Sequence, residues 1–518
     1  MRNPEARADP AFDVAVLGGR LSAGLLAAVL ARQGVRVLLV NPPGDLHAPA
    51  GETTVPYTAE VFRLLARRFE VPEIAAFGRF PELPARLRGT SGVNRGPGYL
   101  YHRPGRRQRP RECVRFAVPD EHAAWHPFLP NADRYALDLA AVHGAAVSVA
   151  LLEDAGSDED HAWVRAADGR LHRARFVVDA VGPGSPLVAR NGGDDPTARL
   201  RHRSRVLATR MRDVVPFEDL APRGRHRRFG PWSQGTVNHL FDGGWVQLVG
   251  FGNHAESRHP QTCVTLSVDP DRFDGLPADP DQAFHAVIGR FPDLARQFGG
   301  ATAVVPWTDA PRWQRTAART RGPRWFAMEP SASRNDPFLA REITTHAEIV
   351  HALAAALIHA VRAGDWSAEP FVRVARLQEE LSRHGDRLLC AARTACQDVR
   401  LWSAFCRVWL VWQQLAHLSL RRARLAAEAA PDGDWSPVER YELGWMWFHA
   451  PAGLRELVAR SLDAVDDVRA GSRTPGQAAD LIFRGLKDGA FLPSPAVLGS
   501  HRPRLRPCPW RERLRLLR

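Results

Sequence analysis

Hydrophobic positions along the chain change period in a readable order. Phe12–Leu17, "FDVAVL", is a short apolar run of strand length, and Ser22–Gln33 carries apolar residues at helical spacing. Val35–Val40 is apolar at strand length again. Gly34 stands where a helix C-terminal cap belongs, and Pro42, Pro43 and Gly44 stop the second strand. Together these make a βαβ unit, which predicts a parallel sheet with helices on its faces.

Further along, "YALDLAAV" (Tyr135–Val142) predicts a helix ending at Gly144, and Phe176–Ala180 a buried strand followed by a glycine turn. The stretches "NHLFDGGWVQLVGFG" and "QTCVTLSVD" predict antiparallel strands of a second sheet. Thr345 and Glu348 are spaced as a capping box, which predicts a helix from Thr345 to Val361. Trp402, Phe405, Cys406, Trp409 and Trp412 recur at three- and four-residue spacing on one helix face. Large aromatics at that spacing favour core packing over an aromatic ligand box. Thr474, Pro475 and Gln477 open a last helix that Gly489 ends. The expected units are residues 1–200 with 320–365 as a dinucleotide-binding-type domain, 201–320 as an antiparallel-sheet substrate region, and 366–518 as a helical region with a basic tail.

Composition changes this picture in two respects. The net charge of +13 is almost wholly arginine, since Lys487 is the single lysine. Arginines cluster in "RPGRRQRPREC", "PRGRHRRF" and the last 18 residues. No nucleic-acid module accompanies them, so an anionic protein partner, such as an acidic carrier delivering a tethered substrate, fits better. The six cysteines show no metal-ligand spacing, which predicts free, buried thiols and no metal site. The polar N-terminus lacks a signal-peptide core, and no apolar stretch reads as long enough to cross a bilayer; a cytoplasmic protein is expected.

In a dinucleotide-binding turn three small residues let backbone approach a diphosphate lying on the first helix. Here those positions hold Gly18, Arg20 and Ala23, with Gly19 between the first two and Asn41 ending the second strand, where an acidic residue usually holds a ribose. The long cation at position 20 attracts phosphate and crowds it at once. "RLSAG" also resembles a nucleophile elbow lacking its first glycine, but it follows the first strand, too early for a hydrolase, and Ser22 fits better as a first-turn residue. His346, His351 and His359 are not all at ligand spacing. Glu52 lies in a loop expected at the C-terminal edge of the parallel sheet, where such folds place ligands, and is the candidate poised carboxylate.

Several landmarks, in order, carry a family resemblance. "GETTVP" (Gly51–Pro56), with Thr53 inside it, resembles the GESTVP-type motif of flavin-dependent halogenases of the tryptophan and pyrrolnitrin types. "FVVDAVGPGS", with Asp179, resembles their DASG turn. "GGWVQLVGFG" resembles their WxWxIP segment, with Gln247 in place of the second tryptophan. "NDPFLAREITTHAEIVHALAAAL" resembles their IDPLFSSG-like turn and long helix, keeping Asp336 and Pro337. The resemblance implies an α/β, FAD-binding p-hydroxybenzoate-hydroxylase-like fold with a Rossmann-type βαβ unit, an antiparallel substrate-region sheet and a C-terminal helical region.

It also implies FAD as cofactor, a flavin reductase partner, and a small apolar, aromatic or carrier-tethered substrate in specialised metabolism. In such enzymes reduced FAD and oxygen give a hydroperoxide that oxidises halide, and a lysine relays the oxidant. This chain has no lysine before Lys487; Arg79 lies near the expected place, and a guanidinium is a poor nucleophile. Ala340-Arg341-Glu342 replaces the halide-side Ser-x-Gly, and Glu329-Pro330 the preceding Gly-Asp. The chain therefore reads as an FAD-dependent oxidoreductase unlikely to halogenate through a lysine relay. The alternatives are a flavin-free derivative catalysing cyclisation or isomerisation, and a non-catalytic carrier-binding scaffold.

Overall fold

A computed structural model of the protein describes residues 11–44, 49–118, 120–191, 196–220, 230–430, 434–439, 452–489, 492 and 498–499. Two arginine clusters of the sequence, 222–229 and 501–518, and Cys508 lie outside the described residues. Strand β1 (Phe12–Leu17) leads into helix α1 (Leu21–Arg32) and strand β2 (Val37–Asn41), the βαβ unit expected. β1 pairs in parallel with β2, Val16 opposite Leu39. β2 pairs in parallel with β3 (Ala146–Val149), and β1 with β4 (Leu171–Asp179). β4 in turn pairs with β5 (Trp325–Ala327), so the last parallel strand arrives from late in the chain.

The interior positions of β1, β2 and β4 are almost wholly buried Val, Leu, Ala and Phe, as strands covered on both faces require. Helix α2 (Pro56–Arg68) begins at the last residue of "GETTVP", and α3 (Leu129–Val142) packs on α1. Gly24 makes that crossing close: a Cβ there would lie 2.7 Å from the Ala136 side chain. Helix α3 begins six residues before the Tyr135 start expected, because Pro130 occupies its first turn, where proline costs no hydrogen bond.

The second sheet runs in the order Thr302–Ala303, Arg205–Arg212, Thr262–Val268, Gly244–Gly250, Val237–Phe241, Gly98–Tyr101, Cys113–Arg115. Its pairs are antiparallel except the Val237–Phe241 pairing with Gly98–Tyr101. Two of its strands thus come from before residue 200, inside the stretch assigned to the dinucleotide-binding unit.

Helix α4 (Glu342–Ala363) starts three residues before the expected capping box. Thr345 and Glu348 are buried within it; Glu348 accepts from Tyr57 Oη at 2.8 Å, so tertiary contacts use the residues that the local pattern offered as a cap. At 22 residues α4 is also long and apolar enough to span a bilayer, against the sequence expectation, but it is mostly buried inside the protein. Helices α5 (Val372–Ala395), α6 (Val399–Ala429), α7 (Ala452–Arg469) and α8 (Pro475–Asp488) complete the described helical part. The aromatic stripe of α6 is buried, and Trp402 meets Tyr99 edge-on at 5.0 Å, so the stripe is core. Thr474 accepts from Gln477 N and Gly489 caps the end of α8, as expected. Cys113, Cys263, Cys390, Cys396 and Cys406 are free and buried.

Candidate active site

The carboxyl ends of β1, β2 and β4 meet around the start of α1. Gly18 has φ +130°, and a Cβ on it would lie 2.6 Å from the Ala180 carbonyl oxygen; only glycine fits. A Cβ on Gly19 would lie 1.8 Å from Asn41 Oδ1, so the end of β2 packs directly on this turn. Ala23 is buried in the first turn of α1. The Leu21 backbone N–H donates to Asp133 Oδ1 of α3 at 2.7 Å. A carboxylate of the chain itself thus takes one of the helix N-terminal donors that would face a phosphate.

Arg20 reaches over the crevice: its Nη2 lies 3.7 Å from where a Cβ on Gly182 would stand, and Pro330 Cγ is 3.4 Å from the same point. Arg334 packs over the Trp313 ring, 3.2 Å from its centroid. Burial, with the nearby charges of Arg20 and Arg315 working against Glu342, pushes Arg334 down to about 10. Asp179 closes the other side. Its Oδ1 accepts from Ser331 Oγ at 2.6 Å and from Val181 N at 3.1 Å, and Ser185 Oγ donates to Oδ2. Burial raises the pKa of this carboxyl despite those donors.

Two cavities open from this crevice. One is bounded by Arg20, Ser22, Gly51, Phe62, Glu342 and His346 among others. The second lies between the 329–342 segment and the apolar faces of α5 and α6, with Leu381, Leu388, Leu389 and Trp412 in its wall. Glu342 and His346, one turn apart on α4, belong to both. Glu329 faces the larger cavity, with His346 Nε2 at 3.8 Å, and burial pushes its carboxyl up to about 8 against a hydrogen bond from Ser333. Ser22 Oγ, Glu342 Oε2 and Arg341 Nη1 are buried without a hydrogen-bond partner in the chain. Ser22 therefore lacks the base that a hydrolase nucleophile would need.

Asp336 and Pro337 form the tight turn ahead of α4. Asp336 Oδ1 accepts from Phe338 N at 3.1 Å, and Oδ2 from Ser267 Oγ at 2.7 Å and Ser204 Oγ at 3.0 Å. Burial alone would raise its pKa; the neighbouring His202, Ser267 and Arg393 outweigh it and lower it. Behind this turn Trp245 stacks on Phe338 at 4.1 Å, and Gln247 Nε2 donates to the Phe338 carbonyl at 3.0 Å. The same Gln247 amide also donates to Asn238 Oδ1 at 3.0 Å, so it makes two bonds where an indole has a single N–H to give. Ala340 ends the turn in the left-handed region at φ +55°.

Glu52 and Thr53 lie beside the second sheet. Glu52 is fully buried and paired with Arg210, Nη2 to Oε1 2.6 Å. Thr53 Oγ1 meets Asn94 Nδ2 at 3.0 Å and Thr236 Oγ1 at 3.1 Å, and Thr236 continues to His126 Nε2 at 3.1 Å. Burial pushes His126 down to about 4, so its ring is neutral at pH 7. Asn94, His126, Thr236 and Arg210 were not singled out from sequence; they lie 41 to 183 residues from Thr53 and share no motif with it. Arg79 stands apart: Nη1 bonds the Glu121 carbonyl at 3.4 Å and lies 3.6 Å from Glu82, and the residue lines neither cavity. Among the described residues no group of three or more His, Cys, Asp or Glu could hold a metal ion.

No family model matches the chain. It is 31% identical over 492 residues to monodechloroaminopyrrolnitrin halogenase PrnC of Pseudomonas fluorescens, spanning 93% of this chain and 85% of that protein. It is 32% identical over 405 residues to tetracycline 7-halogenase of Kitasatospora aureofaciens, spanning 77% and 73%. Among solved structures, halogenase PltM in complex with phloroglucinol and FAD superposes with a TM-score of 0.88 at 24% identity, covering 95% of this chain and 99% of that one. The flavin-dependent halogenase CmlS gives 0.55 at 15% identity, over 96% and 75%. With its α/β halves in the arrangement its motifs predicted and relatives of this identity over most of its length, the chain belongs to the flavin-dependent halogenases.

Proposed function

We propose that the protein is an FAD-dependent oxidoreductase that acts on a small apolar, aromatic substrate, free or tethered to a carrier protein, and works with a flavin reductase. The observation carrying this reading is the pair of joined cavities at the carboxyl edge of the parallel sheet, walled by polar atoms without partners in the chain. Those atoms, Ser22 Oγ, Glu342 Oε2 and Arg341 Nη1, together with the side-chain-free Gly18-Gly19 turn, fit a flavin nucleotide. PrnC, tetracycline 7-halogenase and PltM are named for, or hold, ring compounds, and PltM holds FAD.

Gly18, Gly19, Ala23 and Asn41 shape the turn under the nucleotide, and Arg20 supplies the charge facing its diphosphate. Thr53, Asp179, Asp336 and Pro337 fix the loops around it. A bound flavin supplies two-electron chemistry with oxygen. Within the larger cavity Glu329 is protonated at pH 7 and holds a proton 3.8 Å from His346, which makes this pair the chain's own acid-base couple. Glu52, with Arg210 on its carboxylate, positions the Thr53 loop. Neither Arg79 nor any other described cation outside the crevice stands in for a relay amine, so oxygenation or dehydrogenation is the expected outcome, and halogenation is not.

One observation favours a second reading. Asp133 on the Leu21 N–H presents negative charge where a diphosphate would lie, which suits a flavin-free protein using the same cavity for cyclisation or isomerisation. Titrating purified protein with FAD while following flavin fluorescence decides between them. Saturable quenching, followed by oxidised product from an aromatic substrate with reduced FAD and air, supports the first reading. No saturation, with turnover by the flavin-free protein, supports the second.

A further inference from the structure

A third cavity, about 640 Å³ in volume, lies away from the crevice, between the edge of the second sheet and helices α5 and α7. Its wall holds six arginines, Arg201, Arg203, Arg272, Arg312, Arg393 and Arg469, against three carboxylates, Asp242, Asp269 and Asp271. Two of those carboxylates are already engaged, Asp242 by Arg272 and Asp271 by Arg203. Asp269 accepts from the Asp271 N–H at 3.0 Å. Arg201 and Arg469 share Asp466, at 3.6 and 3.5 Å, so the six arginines still outnumber the four carboxylates around them.

The donors that matter are on Arg393 and Arg312. Arg393 is nine-tenths buried and bonds no carboxylate directly: its Nη atoms reach Ser267 Oγ at 3.2 Å, which itself donates to Asp336, and Gly243 O at 3.4 Å. Its guanidinium lies over the Trp245 ring, 4.7 Å from the centroid. Its Nε is buried with no partner, and so is the Nε of Arg312, whose Nη2 bonds the Thr197 carbonyl. A buried charged donor without an acceptor is costly unless something supplies one. Those two Nε atoms are closed off from the cavity, but the guanidinium groups of the six arginines around it suit an acceptor with several anionic oxygens.

We propose that this cavity is a second binding site, for a phosphate-bearing anion, with Arg393 in its floor and Arg312 in its wall. The site shares no residue with the two joined cavities, so it stands independently of the FAD reading. It does lie behind a common partition: His202 lines it, and His202 Nε2 is 3.6 Å from Asp336 Oδ2, in the turn that borders the larger of those cavities.

The test titrates full-length protein with inorganic pyrophosphate by calorimetry in chloride-free buffer of low ionic strength, with and without saturating FAD. We expect saturable binding that FAD does not displace, weakened about tenfold in Arg312→Gln and unchanged in Arg20→Gln. Arg393→Gln should abolish it, but that residue is buried, so the part-exposed Arg312 variant carries the decision. Inorganic phosphate and AMP as further probes separate a bare phosphate ligand, bound equally as either, from a nucleotide, for which AMP binds tighter. Absence of saturable binding overturns the proposal. So does binding that FAD displaces, or that Arg20→Gln removes while Arg312→Gln does not.

Discussion

The Leu21 backbone N–H and the Asp133 carboxylate, 112 residues apart, meet at 2.7 Å at the start of α1. In a fold that places phosphate at this helix end, an internal carboxylate satisfies an orphan donor and repels the ligand the end would attract. Replacing Asp133 by Asn should therefore move two measurements in opposite directions. The melting temperature falls, since a buried hydrogen bond to a charged group contributes about 1.5–3 kcal/mol. FAD affinity, read by fluorescence quenching, rises. A loss of both would assign Asp133 a purely structural part.

Glu329 gives a pH dependence of defined sign. Its folded pKa of about 8 stands above the 4.5 usual for a glutamate carboxyl, so between those values the folded protein holds a proton that the unfolded chain has lost. Its contribution to stability is full below pH 4.5, declines with a slope of at most about 1.4 kcal/mol per pH unit, and is gone above pH 8. Denaturant melts of wild type and Glu329→Gln at a series of pH values should diverge across that window, with the variant the flatter of the two. Parallel curves would place the proton elsewhere.

The Glu52–Arg210 pair separates structure from chemistry at the GETTVP loop. Arg210→Met strands a fully buried carboxylate and should cost about 3–5 kcal/mol in urea unfolding. Adding Glu52→Gln should recover most of it. If the double variant folds but has lost turnover with reduced FAD, Glu52 acts in the reaction; if turnover survives, its work is to hold the loop.

Arg79→Lys restores an amine near the position where the family resemblance expects one. Because Arg79 turns to Glu121 and Glu82 and borders neither cavity, the variant should stay within about 0.5 kcal/mol of the parent and yield no brominated product with reduced FAD and bromide. Brominated product, detected by its isotope pattern in mass spectrometry, would bring Arg79 back to the reacting atoms.

Sequence revealed the parts of this fold that short-range physics decides. β1, the Gly18 turn, the hairpin around Gly243 and the Thr474 cap each depend on residues within a few positions of one another. It misplaced the start of α4 because Thr345 and Glu348 match a capping pattern that Tyr57, nearly 300 residues away, claims for the core. The site was legible as a place and not as a set of partners. Glu52 stood out, but nothing near it announces Arg210. Arg20 stood out too, whereas Asp133, which bears on the same ligand end, lies in an ordinary amphipathic helix. Charges that meet across the sheet–helix boundary leave no period in the chain.

Glu342 and His346 stand on adjacent turns of α4 and face both crevice cavities. The two rooms thus have a party wall one helical turn thick. A guest that fills either room presses on the same two side chains, so occupancy on one side is felt on the other without any movement of the backbone. A smaller residue at position 346 would thin this wall and widen the way from one room to the other.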